Sequence, residues 1–141
     1  MNKKGPIVII EDDEDDQEVL TEIFTKLGHA NELIFFRDGH AALDFLTQTD
    51  LHPFLILSDI NMPTINGFEL RKKIFTIEAL QLKCIPYLFF TSTSRKKEVV
   101  DAYGMSVQGF FVKPSTMQEL EDTIRRIMEY WQQCIAPNHF D

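Results

Sequence analysis

Acidic, hydroxyl and ammonium side chains stand at the ends of successive apolar runs in this sequence. They are Glu11, Asp12, Asp59, Thr91 and Lys113. If the runs are parallel strands of one sheet, their carboxyl ends meet at one edge and these side chains share a crevice. Clustered carboxylates repel one another unless a cation neutralises them, and Mg2+ binds through one or two carboxylates, waters and a phosphate. The sequence therefore predicts a divalent cation site that handles phosphate.

Asp59 is the predicted nucleophile of this site. Its carboxylate can attack a phosphoryl group because a bound cation and Lys113 offset negative charge on the transferred oxygens. The product is an acyl phosphate, which adds roughly −1.5 to −2 charges and three acceptor oxygens near Thr91 and Lys113. Each residue alone also has a structural explanation, since Asp59 suits a turn, Thr91 a helix cap and Lys113 the surface. Their shared position at strand ends favours the chemical interpretation.

Five apolar, β-branched runs alternate with segments of helical period, which is typical of βαβ units and a parallel sheet. The predicted strands are 7–10, 32–36, 54–58, 87–91 and 109–112. The acids Asp13, Asp15 and Asp16 are predicted to cap and begin the first helix. The last helix has apolar residues at steps of three and four from about Thr116 and ends before Pro137. The predicted fold is a doubly wound α/β sheet with (βα)5 architecture.

The composition restricts the chain to few protein classes. Its 141 residues suit one compact domain, and 44% hydrophobic with 26% charged residues is typical of a globular chain. A formal net charge of −8 without a long Lys/Arg stripe argues against direct nucleic-acid binding. Cys84 and Cys134 lack the spacing of a disulfide framework or a zinc site, which favours the reducing cytoplasm. The apolar run 7–10 is too short for a signal peptide or a membrane span.

From about Gly5 to Trp131 the chain resembles the receiver domain of two-component response regulators. In that family an acidic pair follows the first strand, the phosphoacceptor aspartate ends the third, Thr or Ser ends the fourth, and Lys-Pro ends the fifth. All four features occur here in that order, and the steps Met62-Pro63 and Asn66-Gly67 resemble the loop that follows the family's phosphoacceptor. Each match alone is weak, but their joint order is specific.

The resemblance implies a ligand set for Mg2+. Asp12 would be a direct ligand, and Glu11 would be a second acid that acts largely through water. Asp59 would be both a ligand and the phosphoacceptor. Asn61 would contribute its backbone carbonyl. Glu11 replaces the Asp of many members, although the Glu-Asp-Asp variant is familiar within the family.

The resemblance also implies how the phosphoryl group is held and read. Thr91 would hydrogen-bond to it and Lys113 would form an ion pair with it. Phe110 occupies the aromatic switch position, where it lacks the hydroxyl of the tyrosine found in some members. We predict a cis peptide bond between Lys113 and Pro114. Asn61 and Thr93 would flank the path of the hydrolytic water.

The implied fold is a flavodoxin-like three-layer sandwich, with a five-stranded parallel sheet in strand order 2-1-3-4-5. Residues 5–131 would form the receiver domain and residues 132–141 a short C-terminal tail. The segment 75–86 is longer than in compact members and predicts an extended loop before the fourth strand. Trp131, near the end of the last helix, is a candidate for exposure to a partner.

The implied function is signalling, and the chain is not predicted to be an enzyme. A sensor histidine kinase or a histidine phosphotransfer protein would donate the phosphoryl group. The output would be a contact with a downstream protein through the predicted fourth helix, the fifth strand and the last helix. The same face would suit a homodimer. The fourth helix in this scheme is the segment that carries Val99, Val100 and Tyr103.

Two other functions are compatible with a strand-end aspartate. A Mg2+-dependent phosphohydrolase of the haloacid-dehalogenase kind also uses an Asp nucleophile with Lys and Thr or Ser. Such enzymes usually place the nucleophile after the first strand and an acid two residues later, whereas Asp59 follows the third strand and Asn61 is not an acid. A non-phosphorylated interaction module is disfavoured because all the reactive residue types are present.

Overall fold

A computed structural model describes residues 1–92 and 94–141. Its strands are β1 (Ile7–Ile10), β2 (Leu33–Phe36), β3 (Leu55–Ser58), β4 (Tyr87–Thr91) and β5 (Gly109–Val112). They form one parallel sheet in the order β2-β1-β3-β4-β5, which confirms the predicted flavodoxin-like fold. The predicted bounds of β1, β4 and β5 are confirmed, whereas β2 and β3 each begin one residue later than predicted.

In the part of the chain that the structure describes, six α-helices and a terminal 3-10 helix surround the sheet. They are α1 (Glu14–Lys26), α2 (Gly39–Gln48), α3 (Gly67–Thr76), α4 (Glu78–Gln81), α5 (Lys96–Gly104), α6 (Met117–Gln133) and the 3-10 helix Pro137–Phe140. The short helix α4 corrects the prediction of an extended loop over 75–86. Helix α4 forms because Leu80 packs into the core, where it is 4% exposed. None of the helices in the described part of the chain combines the length and apolarity needed to cross a membrane.

Side-chain caps determine where four of the helices begin. Asp13 accepts hydrogen bonds from the backbone N–H groups of Asp15 and Asp16 at the start of α1, as predicted. Asn66 and Glu69 form a reciprocal capping box at α3. The remaining two caps are Asp38 at α2 and Thr116 at α6. These caps satisfy N–H groups that have no partner within a helix, and they hold the loops between the strand ends and the helices.

The hydrophobic core lies on both faces of the sheet, because successive residues of a strand point to opposite faces. One cluster joins the sheet to α1 and α6, and the other joins it to α2, α3 and α5. All residues of β1, β3 and β4 are buried. Trp131 is half-buried against the first cluster, so it is less exposed than predicted. The buried central strands give the strand-end residues a rigid support.

Gly67 brings the start of α3 into close contact with the end of β3. A Cβ atom at this position would lie 2.4 Å from the backbone oxygen of Asp59 and 2.7 Å from Cε1 of Phe89. We expect Gly67→Ala to lower the free energy of unfolding by about 1–3 kcal/mol, because the backbone must shift to relieve the overlap. Urea denaturation of both proteins measures the difference.

Gly104 provides a matched control for that substitution. It lies at the end of α5. Apart from its two chain neighbours and the local helix backbone, no atom of the described residues lies within 4 Å of the position that its Cβ would occupy. Gly104→Ala is expected to raise the free energy of unfolding by about 0.4–1 kcal/mol, because alanine restricts the unfolded chain. Similar effects of the two substitutions would contradict the assigned role of Gly67.

Candidate functional site

The sheet gathers three predicted acidic residues at the carboxyl ends of β1 and β3. One carboxylate oxygen from each of Glu11, Asp12 and Asp59 lies within 4.8 Å of the other two. The cause is the register of the sheet, since Ile10 pairs with Ser58 and the next residues follow at the same level. Glu11 and Asp59 are buried, whereas Asp12 is exposed. The cluster therefore has a fixed base and one face open to solvent.

Backbone hydrogen bonds hold the two buried carboxylates in position. Asp59 Oδ1 accepts a hydrogen bond of 2.7 Å from the backbone N–H of Ile60. Glu11 Oε1 accepts one of 3.0 Å from the backbone N–H of Asp13. Each carboxylate thus uses one oxygen for a backbone bond, and the orientation of its other oxygen is restricted.

Lys113, the residue directly after β5, brings a positive charge into the acidic cluster. Its Nζ forms an ion pair with Glu11 and lies 3.5 Å from Asp59 Oδ2 and 3.5 Å from Asp16 Oδ2. A backbone hydrogen bond positions Lys113 beside these acids, because its N–H donates a 2.7 Å hydrogen bond to the carbonyl of Thr91 at the end of β4. One ammonium group therefore lies near three carboxylates, and Asp12 adds a fourth carboxylate to the same cluster. The site carries excess negative charge, which a divalent cation would offset.

Burial perturbs both partners of the central ion pair. It raises the pKa of the Glu11 carboxyl above its ordinary value, although hydrogen bonds from Lys113 and the Asp13 backbone oppose this effect. Burial alone would lower the pKa of Lys113, but Glu11, Asp59 and Asp16 outweigh it and raise that pKa. Lys113 therefore stays protonated at neutral pH and available to bind anionic oxygens.

Thr91 is the last residue of β4 and is fully buried. Its Oγ1 makes no hydrogen bond to the part of the chain that the structure describes. A buried hydroxyl without a partner typically costs about 1–3 kcal/mol. This donor, without a partner in the described chain, lies at the edge of the sheet that holds the acids and suits the binding of an anionic oxygen.

We expect Thr91→Val to raise the free energy of unfolding of the unphosphorylated protein by about 1 kcal/mol, because valine keeps the shape and removes a buried hydroxyl that has no partner among the described residues. Ser58→Ala is the control, since Ser58 is also buried but donates a 2.8 Å hydrogen bond to the Asp59 carbonyl. This second substitution should lower the free energy of unfolding by about 0.5–1.5 kcal/mol. Urea denaturation distinguishes the two signs, and a destabilised Thr91→Val protein would contradict the expectation.

The other predicted site residues lie around this cluster. Asn61 is exposed two residues after Asp59, and its role as a carbonyl ligand stays a prediction. Phe110 is half-buried in β5 with its ring centroid 5.9 Å from that of Phe89. Thr93 lies outside the described residues. These positions do not by themselves assign a function.

The predicted cis bond between Lys113 and Pro114 is wrong. No peptide bond among the described residues is cis. The trans form is ordinarily favoured before proline by about 0.5–1 kcal/mol. The trans chain still places the Lys113 ammonium among the acids, so the site does not require the cis form.

Asp16 is a site residue that the sequence interpretation missed. It was predicted only to help begin α1, yet its Oδ2 lies 3.5 Å from Lys113 Nζ. The residue is half-buried and adds negative charge at the rim of the cluster. The acidic run Glu11 to Asp16 is visible in the sequence, but the direction of each carboxylate depends on where α1 begins. The cap at Asp13 decides that point.

Comparison with known proteins agrees with this geometry. The family model "Response regulator receiver domain" matches residues 7–125. The chain is 30% identical to the chemotaxis protein CheY-3 of Vibrio cholerae, over 92% of this chain and 95% of that protein. It is also 30% identical to the probable methanogenesis regulatory protein FilR2 of Methanothrix harundinacea, over 89% of this chain and 82% of that protein.

A solved structure extends the comparison to three dimensions. The crystal structure of the Mn2+-bound form of response regulator Rcp1 aligns with a TM-score of 0.82 at 28% sequence identity, over 95% of this chain and 99% of Rcp1. The family match, the strand order and the acidic cluster therefore lead to one conclusion. The chain belongs to the response regulator receiver domain family.

Proposed function

We propose that this chain is a phosphoacceptor response regulator that receives a phosphoryl group on Asp59 in the presence of Mg2+. The observation that carries the proposal is the convergence of Glu11, Asp12 and Asp59 within 4.8 Å, with Lys113 Nζ 3.5 Å from Asp59. Within a receiver domain, this arrangement combines a nucleophile, a place for a cation and a counter-charge for phosphoryl oxygens.

The donor set fits a hard divalent cation. Glu11, Asp12 and Asp59 supply carboxylate oxygens, which are the ligands that Mg2+ prefers, and Asn61 would add its backbone carbonyl. The open side at Asp12 leaves room for waters and phosphate oxygens. When bound, Mg2+ would neutralise charge on the transferred oxygens. The Mn2+-bound form of the related Rcp1 supports a divalent cation in this family.

Phosphoryl transfer uses the carboxylate of Asp59 as the nucleophile. An Asp59 oxygen forms a bond to phosphorus while the bond from phosphorus to a histidine nitrogen of the donor breaks. Asp59 is pre-oriented, since Oδ1 is held by the Ile60 N–H and Oδ2 faces Lys113. Lys113 stabilises the charge on the phosphoryl oxygens as the bond forms. The donor is a sensor histidine kinase or a histidine phosphotransfer protein.

The signal passes from the phosphoryl group to a protein-binding face. The Thr91 hydroxyl, which has no partner among the described residues, donates a hydrogen bond to the phosphoryl group, and this draws the end of β4 toward that group. Phe110 then fills the space that is vacated. The face formed by α5, β5 and α6 changes for a downstream protein or a second copy of the chain. Val100, Tyr103 and Val112 are exposed on these elements, as such a contact requires.

Incubation with acetyl phosphate tests the proposal directly. Intact-mass spectrometry should show the addition of one phosphoryl group per chain, and peptide mapping should locate it at Asp59. Continuous release of phosphate from p-nitrophenyl phosphate without a stable adduct would favour a phosphohydrolase. No adduct from acetyl phosphate or from a phosphorylated histidine donor would favour a non-phosphorylated interaction module.

A further inference from the structure

A cleft of about 630 Å3 opens at the edge of the sheet opposite the acidic cluster. Pro86 and Gln108, which line it, precede β4 and β5, whereas the acids follow the ends of β1 and β3. Helices α3 and α4, the end of α6 and the C-terminal 3-10 helix form the other walls. Small-molecule sites in proteins typically have volumes of about 300–1,000 Å3. The cleft is therefore a candidate ligand site distinct from the one that contains Asp59.

Most of the cleft wall is apolar. Ile74, Phe75, Leu80, Ile85, Trp131 and Ile135 supply aliphatic and aromatic surface to it. Phe75 and Ile135 are 48% and 67% exposed. Apolar side chains in a concave surface favour a ligand with an apolar body.

Arg71 of α3 places a buried positive charge in this apolar wall. The residue is only 6% exposed. Its guanidinium lies over the rings of Phe75 and Tyr87, with Cζ at 5.2 and 5.5 Å from their centroids. Its Nε and Nη2 donate hydrogen bonds of 3.1 and 2.9 Å to the carbonyls of Met105 and Ser106. Four neighbours thus hold the guanidinium in one orientation.

The charge of Arg71 has no counter-ion within the described residues. No carboxylate there lies within 4.0 Å of its nitrogens. Nη1, unlike Nε and Nη2, makes no hydrogen bond to the described chain. Burial lowers the pKa of the guanidinium, as expected for a cation that is desolvated without an anion nearby. Nη1 is not among the buried atoms without a partner in the described chain, so it is accessible from the cleft. The guanidinium is thus held by carbonyls and rings without a carboxylate, and one of its nitrogens is left for an anion in the cleft.

We propose that the cleft binds an apolar molecule with one carboxylate group, which pairs with Arg71 while the apolar part packs against Ile74, Leu80 and Trp131. A carboxylate would supply a counter-ion for Arg71 and accept a hydrogen bond from Nη1. Charge-assisted hydrogen bonds of this kind are stronger than those between neutral groups. The size of the cleft suits a medium-chain fatty acid or an arylalkanoate. This binding requires neither Asp59 nor a cation.

Trp131 makes the proposal directly measurable, since it is the only tryptophan of the chain and lines the cleft. Titration of the full chain with decanoate, below the concentration at which decanoate forms micelles, should give a saturable change in fluorescence. The uncharged 1-decanol should bind at least tenfold more weakly, as loss of one charge-assisted hydrogen bond predicts. Equal affinities for the two probes, or no saturable signal with decanoate, would overturn the proposal.

Substitution of Arg71 tests which residue recognises the carboxylate. Arg71→Gln should weaken decanoate binding at least tenfold and leave little difference between decanoate and 1-decanol, whereas Arg71→Lys should retain part of the preference. Arg95→Gln is the matched control, because Arg95 is exposed at the start of α5 and lies outside the cleft. The Arg95→Gln protein should bind decanoate with the affinity of the unmodified chain. If Arg71→Gln does not fold, the affinities of the unmodified chain for decanoate and 1-decanol still show whether the cleft prefers a carboxylate. An unaltered preference in folded Arg71→Gln would overturn the assignment.

The two cysteines give an independent measure of where the probe binds. Cys84 and Cys134 both line the cleft and are free thiols. Saturating decanoate should slow alkylation of at least one of them by iodoacetamide, as determined by peptide mass mapping. Unchanged alkylation of both thiols under saturation would place the probe elsewhere and overturn the location.

Discussion

Asp59→Asn should abolish phosphoryl uptake from acetyl phosphate. The amide keeps the shape and the acceptor for the Ile60 N–H, but it removes the anionic oxygen that attacks phosphorus. Asparagine also lowers the negative charge of the cluster, so the substituted protein should fold at least as stably as the unmodified one. Intact-mass spectrometry over a time course, together with urea denaturation, separates loss of chemistry from loss of fold.

Asp13→Asn is the control for this experiment. Asp13 lies two residues after Glu11, but its side chain caps α1 by accepting from Asp15 and Asp16. Asparagine caps helices about as well as aspartate, so uptake should stay close to that of the unmodified chain. Uptake by Asp59→Asn at the unmodified rate would show that another residue is the acceptor.

Removal of divalent cations should reduce the rate of phosphoryl uptake at least a hundredfold, as expected when several kcal/mol of charge stabilisation are lost. Without a divalent cation, Lys113 pairs with Glu11 and lies near Asp59, but the three clustered carboxylates still present excess negative charge to the incoming phosphoryl group. Intact-mass measurements after EDTA treatment give the residual rate, and titration with MgCl2 should restore it.

Asp12→Asn locates the cation requirement within the acidic cluster. It should raise the MgCl2 concentration needed for half-maximal rate, because one anionic ligand is lost while Asp59 stays in place. Asp44→Asn is a suitable control, since Asp44 is exposed on α2 and outside the acidic cluster. An uptake rate that is insensitive to EDTA would rule out the cation requirement.

The proposal of phosphoryl transfer to Asp59 and the proposal of ligand binding in the cleft can be tested independently. Phosphoryl uptake depends on groups at the carboxyl edge of the sheet, and decanoate binding depends on Arg71 at the opposite edge. Decanoate binding by Asp59→Asn, measured through Trp131, should equal that of the unmodified chain. Its loss in a folded Asp59→Asn protein would show that the cleft depends on the acidic site.

The strands and the acids at their ends could be predicted from the sequence because both are local features. Apolar β-branched runs specify strands, and polar residues directly after them mark the ends. The bounds of β1, β4 and β5 and the order of the sheet followed from this pattern together with the family resemblance. The short helix α4 could not be predicted from this pattern, since its formation depends on the burial of Leu80 against other elements.

Only the tertiary structure decided how side chains from distant segments meet. Asp16 faces Lys113, and the Thr91 hydroxyl has no partner among the described residues, because these outcomes depend on packing between elements. Arg71 is the clearest case. Arginine is usually exposed, and no local pattern predicts that Phe75 and Tyr87 enclose it. The sequence determined which chemical groups are present at the strand ends, and the packing determined which of the described charges meet a partner.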